Sequence, residues 1–593
     1  MRINCLILML LSGSNLAAEP VDWEAKRAAL GREDKYRILV DKVWSRSNGW
    51  VLTDEHLEEI RLAGYNVIVP RIGGDDRERV RRVSRMAQDR GLFYMAWMRG
   101  TKSATEGHRL VWEDGLEQNL YSPNADELWE ELESAILDHA RIAAETPSFI
   151  GTFLDFENYE PDAPDVDRWN CYPLSFDGKI LKEFAESAGF EIPDLSPEGR
   201  AEWLKEKDLY DAFRDFQFES WRNRCRLLRE KIDAIHPQFQ LIVYPPMKTD
   251  FIEEAIYPEW GTREAPLVLA EYFTYGRKGW IGHEEALRQN LQRMTERMGF
   301  VRERGVFHQY IGGIDPLVTG ADPEFCGKNA VMLAEVSEGY WNFYEGPTYG
   351  RSDHDRYLSW LSRANVAIAT KEYGMAWEER VEPDLLSTAV LFDPDHEHLK
   401  VGQLGIDYSI HHQLNYTGRH HAYSLKGPAF EFLEQFDVIL LHDYRLPPDD
   451  PWAKDLRRYV EAGGNLILFH KMAADFDYLF PELGKCVNPR DATGEVEYVA
   501  DVPFVPSEFT PLPEFLAGAE ISPSHPEHTF FEPGEQGTVW MKDPMDRPVL
   551  VHGKIGEGHV AFFGAYYGKD LEPNPADLEM EFLIGLIDWL VNR

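Results

Sequence analysis

Cysteine is scarce in this sequence: five residues in 593, at positions 5, 171, 225, 326 and 486, with no Cys-x-x-Cys pair. That scatter excludes a zinc site of clustered thiolates and implies no disulfide framework. Basic residues are the minority, 62 Lys and Arg against 102 Asp and Glu, for a formal net charge of −40. Such a surface repels nucleic acid and anionic lipid, so neither is expected as a partner. It does not exclude a polyanionic substrate, because a local basic pocket of Lys42, Arg71 and Arg99 would override the global field. Long apolar runs are also missing; none is long enough to span a bilayer. The first strand-like run is followed by Trp44-Ser-Arg-Ser-Asn-Gly49, not a Gly-x-Gly-x-x-Gly turn, and no His-Glu-x-x-His occurs. These absences argue against a dinucleotide-binding sheet and a zinc-protease helix. No cofactor and no metal is expected, and the chain contains no internal repeat or low-complexity tract.

What is present begins with a leader-like segment. Arg2 precedes the short apolar run 5–11, and small residues lead to Ala17-Ala18. This reads as a signal peptide over residues 1–18, removed on export to a secreted or periplasmic location. The remaining length is too great for one core, so more than one domain is expected.

From Tyr36 to about Tyr373 the chain alternates apolar runs with longer amphipathic stretches. The runs are 37–44, 65–71, 92–99, 149–157, 240–244, 266–273, 305–311 and 339–345. Strand-helix alternation predicts parallel strands with crossover helices, and eight units close a (β/α)8 TIM barrel, placed at 30–375. The pattern resets near Glu378. A second α/β domain, flavodoxin-like in order, is placed at 384–593, with strand-like runs 386–392, 436–441 and 464–469, a helix from Pro451 closed by Gly463-Gly464, and a late hairpin over 548–563.

In such barrels the active site lies at the C-terminal ends of the strands. The fourth run ends Asp155-Phe156-Glu157, and residues two apart share a face. Two acids that close raise each other's proton affinity, which suits a general acid. The sixth run ends at Glu271, an acid after an apolar stretch and thus a candidate opposing carboxylate. Glu157, Asp155 and Glu271 are the candidate catalytic residues. The same strand-end rule assigns substrate binding to Asp41, Trp44, Arg71, Trp97, Arg99, Tyr244, Tyr310, Trp341 and Glu345, with His308 as an alternative to Tyr310. Trp97 and Trp341 would stack on sugar rings. Six histidines of the second domain, His396, His398, His411, His412, His420 and His421, are expected as surface or loop residues, not metal ligands.

The stretches Phe436-Asp-Val-Ile-Leu-Leu-His-Asp443, Leu456-Arg-Arg-Tyr-Val-Glu-Ala-Gly-Gly-Asn-Leu-Ile-Leu468 and Gly553-Lys-Ile-Gly-Glu-Gly-His-Val-Ala-Phe562 look like parts of a class I glutamine-amidotransferase-like domain. With a barrel before it, the layout resembles the family 42 β-galactosidases and related bacterial glycosidases. That resemblance implies a glycoside hydrolase barrel followed by an α/β domain that mediates homo-oligomers. The Gly-x-Cys-x-Gly nucleophile turn of amidotransferases is missing; Lys471-Met472 follows His470, so the second domain is expected to be non-catalytic. The retaining-glycosidase clan carries Asn-Glu at the end of strand four and Glu at the end of strand seven. Here Asn158 follows Glu157, and the seventh run contains no Glu. The Asp155-x-Glu157 pair is similar to chitinase-type barrels, whose Glu is the acid and whose Asp orients an N-acetyl group.

The sequence therefore predicts an exported hydrolase of O-glycosidic bonds in an oligo- or polysaccharide. Two alternatives stay open: a non-catalytic carbohydrate-binding protein on a decayed barrel, and a polysaccharide lyase using Arg71, Arg99 and Tyr310.

Overall fold

The computed structural model describes residues 21–41, 53–71, 73–104, 107–157, 174–246, 250–277, 281–316, 321–344, 351–382, 385–392, 410, 414, 420–426, 430–443, 451–487, 504–507, 512–517, 521, 528–565 and 578–593. Eight strands close an all-parallel barrel: β1 Tyr36–Asp41, β2 Val67–Pro70, β3 Phe93–Arg99, β4 Phe149–Asp155, β5 Gln240–Tyr244, β6 Leu267–Ala270, β7 His308–Ile314 and β8 Gly339–Tyr344. Their order around the barrel is their order in the chain. β8 closes onto β1 in the register Tyr36↔Gly339 to Asp41↔Tyr344.

Crossover helices follow the strands: α1 Asp54–Leu62, α2 Arg77–Asp89, α3 Asp126–Glu145, α4 Tyr210–Ile235, a helical segment over 251–260, α5 His283–Glu303, α6 Pro323–Val336 and α7 Arg351–Thr370. Local sequence sets their starts. The Thr53 hydroxyl accepts from His56 N–H at the head of α1, and Asp76 accepts from Glu78 and Arg79 N–H at the head of α2. Each buries an apolar stripe; α2 buries Val80, Val83, Ser84 and Ala87, spaced three and four apart.

Alternation along each strand divides the core in two. In β3, Phe93, Met95 and Trp97 fill the lumen, while Tyr94, Ala96 and Met98 join the layer between strands and helices. The same count holds for Val268 and Ala270 inside against Leu267 and Leu269 outside in β6.

Two strands depart from the sequence reading in ways that matter for the site. β6 stops at Ala270, so Glu271 lies one residue past it. β7 starts at His308 and runs to Ile314, three residues later than the run 305–311. The cause lies in the turn: Gly305 takes φ +68° after the last turn of α5, and Phe307 is exposed there, so the chain becomes extended and buried only afterwards. Asp315, not His308 or Tyr310, is thus the polar residue at the end of strand seven.

The second α/β domain is built on an eight-stranded sheet: β9 Leu386–Phe392, β10 His420–Lys426, β11 Val438–Asp443, β12 Asn465–Phe469, β13 Val505–Pro506, β14 Thr538–Lys542, β15 Pro548–Ile555 and β16 Gly558–Phe563, in the order β10-β9-β11-β12-β16-β15-β14-β13. The five strands β10-β9-β11-β12-β16 are mutually parallel, the flavodoxin-like arrangement, and β15 returns antiparallel to β16. Ile439 and Leu441 pack on one face of the sheet, Val438 and Leu440 on the other. His420 corrects the surface expectation: it opens β10 fully buried, with its ring Nδ1 3.2 Å from the Thr388 hydroxyl across the sheet. The side chain of His421, and all of His396, His398, His411 and His412, lie outside the described residues. No described helix is long and apolar enough to cross a membrane. Cys225, Cys326 and Cys486 are buried free thiols.

Candidate active site

The C-terminal mouth of the barrel gathers the lumen-facing ends of β2 to β5 and β8. On β4, Phe153 is in the lumen and Phe156 packs outside against Phe251 and Trp260, so Asp155 and Glu157 take the lumen parity. Both carboxylates are buried, at 1% and 8% exposure. Asp155 uses both oxygens within the wall. Its Oδ2 accepts from Arg99 Nη1 at 2.5 Å, and its Oδ1 accepts from Glu157 N–H at 2.9 Å. Burial raises its proton affinity above the ordinary carboxylate range, against the opposing pull of Arg99 and Arg71.

Glu157 is reached from β5. Tyr244 donates its hydroxyl to Glu157 Oε1 at 3.0 Å, and Tyr275 donates to the Tyr244 oxygen at 2.6 Å. The Thr101 hydroxyl donates to the Glu157 carbonyl at 2.7 Å, fixing the backbone just past the strand end. A carboxyl held by a phenol relay in a largely dry wall has a fixed direction, which proton transfer to a bound substrate requires.

Arg71 follows β2 on the lumen parity of Val67 and Val69. Its guanidinium carbon lies 5.5 Å from the Trp97 ring centre and 5.7 Å from that of Phe343. Trp97 also stacks on Phe153 at 4.7 Å. Trp341 is fully buried beneath the mouth, with its indole N–H donating to the Glu271 carbonyl at 3.0 Å and its ring against Phe153, Tyr244, Tyr275 and Phe343. Neither indole stands open as a sugar platform; both pack the lumen. Gly313 on β7 accommodates this packing, since an added Cβ would come 2.7 Å from Tyr275 Cε1 and 2.9 Å from Trp341 Cε2.

Glu271 does not enter this cluster. It alternates outward after Ala270. Its Oε1 accepts from the N–H groups of Tyr272 and Phe273 at 2.8 and 3.0 Å, and its Oε2 accepts from Tyr310 at 2.6 Å. Tyr310 itself is fully buried in the layer between strands and helices. Both residues expected at the mouth therefore bond to each other outside the barrel wall. Asp41 ends β1 on the outer parity of Leu39. His308 opens β7 at the opposite end of the barrel. Trp44, Lys42 and Glu345 lie outside the described residues.

Three mouth residues were not singled out from the sequence. Tyr275 and Thr101 sit beyond their strands, where a rule that reads only strand ends does not look. Asp315, 1% exposed, follows β7, with its N–H donating to the Tyr275 carbonyl at 3.1 Å; the shifted strand boundary concealed it. Burial, then the charge of Asp322 and lastly that of Asp315, hold the Cys326 thiol well above its usual range. Among the described residues no group of three or more His, Cys, Asp or Glu is placed to hold a metal ion.

No protein-family model matches the sequence, and no curated protein matches it. Solved structures align over most of its length at low identity. A β-galactosidase from Bacillus circulans sp. alkalophilus covers 94% of this chain and 88% of its own, at 12% identity and a TM-score of 0.39. A family 42 β-galactosidase from G. stearothermophilus covers 94% and 88%, at 11% identity and a TM-score of 0.39. An exo-β-1,4-mannosidase from Opitutaceae bacterium strain TAV5 covers 93% and 96%, at 10% identity and a TM-score of 0.30.

Proposed function

We propose that this chain is an exported glycoside hydrolase that cleaves O-glycosidic bonds of an oligo- or polysaccharide at the C-terminal mouth of its barrel. The observation that carries the reading is the Tyr275–Tyr244–Glu157 hydrogen-bond chain, which aims one carboxyl at the lumen beside a second, buried carboxyl at the end of the same strand. Glu157 in its acid form donates a proton to the departing glycosidic oxygen. The resulting carboxylate takes a proton from the water that adds to the anomeric carbon, which restores the acid. Asp155, oriented by Arg99, supplies negative charge beside the cationic transition state. Glu271, turned outward and bonded to Tyr310, supports the wall and has no part in this step.

One observation favours a second reading, eliminative cleavage. Arg71 and Tyr244 both lie against the Phe343 ring at the mouth, at 5.7 and 6.3 Å from its centre, and a lyase needs an arginine to neutralise a uronate and a tyrosine to move a proton. Tyr310, on the outer face, is replaced by Tyr244 in that role. Digestion of a glycan panel in heavy-oxygen water separates the two. In short digests reduced with borohydride before anomeric exchange, hydrolysis places one heavy oxygen on each new reducing end and none on the other new end, whereas elimination incorporates none and yields an unsaturated, ultraviolet-absorbing sugar. Unlabelled, unsaturated ends would refute the hydrolase reading.

A further inference from the structure

Arginines in this acidic chain are regularly engaged by carboxylates: Arg37 by Asp34, Arg61 by Glu58, Arg99 by Asp155, Arg229 by Asp233. Arg71 is an exception at the place where it matters most. It is half-buried at the barrel mouth, and among the described residues no hydrogen bond or ion pair engages it. Its contacts are the aromatic rings of Trp97 and Phe343. Its charge does act on Asp155, but both oxygens of that carboxylate are already taken by Arg99 and the Glu157 N–H.

A guanidinium within cation–π reach of two rings is attracted by them, and its five N–H groups lie along the edges of its plane. Those edges match a planar carboxylate or another oxyanion in a two-pronged bond, a geometry a lysine ammonium does not provide. A neutral sugar makes no use of a second cation here, since Arg99 already balances Asp155. In a protein of net charge −40, a cation held in a substrate mouth without an acid of its own is a specific feature.

We propose that Arg71 receives an anionic substituent of the sugar bound at the mouth, a hexuronate carboxylate or a sulfate ester, so that the substrate is an acidic glycan. This rests on the mouth being a glycan site, but not on the hydrolytic mechanism. It also locates the recognition of charge at the end of β2, one strand removed from the β4 end that carries Glu157 and Asp155.

The test is calorimetric titration of the full chain carrying Glu157→Gln, alone and combined with Arg71→Gln or Arg71→Lys. The probes are galacturonate, glucuronate and mannuronate oligosaccharides, the same chains with carboxyls reduced to alcohols, and sulfated galactan oligosaccharides beside their desulfated forms. At least one anionic series is expected to bind about tenfold or more tightly than its neutral counterpart, one charge-assisted bond's worth of discrimination. Arg71→Gln is expected to abolish that preference and Arg71→Lys to keep part of it. The series that responds identifies carboxylate or sulfate. Equal binding of charged and neutral chains, a preference that survives Arg71→Gln, or no binding of any anionic probe would each overturn the assignment. Reducing-end release by the unmodified protein is scored separately. Charge-dependent binding without cleavage leaves the Arg71 assignment standing and removes the hydrolase reading; cleavage of neutral chains alone does the reverse.

Discussion

The hydroxyl of Tyr244 on β5 donates a 3.0 Å hydrogen bond to Oε1 of Glu157, the second residue past β4. The bond joins neighbouring strands, which pair in parallel with Asp155 opposite Tyr244. It makes Tyr244 a positioning residue for the proposed acid. Tyr244→Phe keeps the ring in the lumen and removes this bond together with the one the Tyr244 oxygen accepts from Tyr275. It is expected to lower kcat about tenfold, the weight of one hydrogen bond, with KM little changed. Steady-state kinetics check this; a change confined to KM would place Tyr244 in substrate binding instead.

Glu271 and Tyr310 are expected to behave as structural residues. Tyr310→Phe leaves one oxygen of a buried carboxylate without its phenol donor. It is expected to cost about 1–3 kcal/mol in urea unfolding of the barrel. Its kcat should stay within a few-fold of the unmodified protein. A thousandfold loss of activity without loss of stability would return this pair to the chemistry.

Asp155 yields a pH test with a definite sign. Burial raises its native pKa above the ordinary 3.8, so the native state holds more protons in the window above 3.8. Its contribution to stability is present below that value and lost as pH rises through the raised native pKa. Asp155→Asn stays neutral throughout. The stability of the variant minus that of the unmodified protein is therefore expected to rise with pH above about 4 and then level off. Urea midpoints across pH 4 to 8 measure it. A difference that falls with pH would show that Arg99 outweighs burial.

In the second domain, His552 and His559 face each other across β15 and β16, Nε2 to Nδ1 at 2.9 Å, between Trp540 and Trp589. Burial, with His559 beside it, lowers the His552 pKa from 6.5 to about 3. The unfolded chain binds more protons between those values, so stability is full above 6.5 and lost as pH falls through the window. Acid titration followed by tryptophan fluorescence is expected to show this domain loosening, and His552→Gln is expected to move that transition to lower pH. An unchanged midpoint would contradict the assignment.

Much of this architecture was readable in the sequence because period and spacing are physical. Runs of alternating burial separated by amphipathic stretches can close in few ways, and the Gly463-Gly464 stop after Pro451–Glu461 marked a second parallel unit. At the mouth, counting by twos placed Asp155, Glu157, Arg71, Trp97, Arg99 and Tyr244 on one face. The same count, carried from Val268 and Ala270, puts Glu271 outside, and from Ile311 puts Tyr310 outside. Those two were selected for being polar at the end of an apolar run, a property that a buried outer acid shares. Asp315 was hidden by a boundary error of three residues, since nothing in the apolar content of 305–311 distinguishes a turn after a helix from the start of a strand. Trp341 looked like a sugar platform because sequence does not reveal which layer of the lumen a ring fills.

The central claim is that Glu157 transfers the proton in glycosidic cleavage. Reducing-end release from a panel of acidic and neutral glycans, with the unmodified protein beside Glu157→Gln, tests it most directly. The expected result is cleavage by the unmodified protein and a loss of about a hundredfold or more in the variant, with folding and glycan binding retained. Cleavage that proceeds equally well in the variant would contradict the claim.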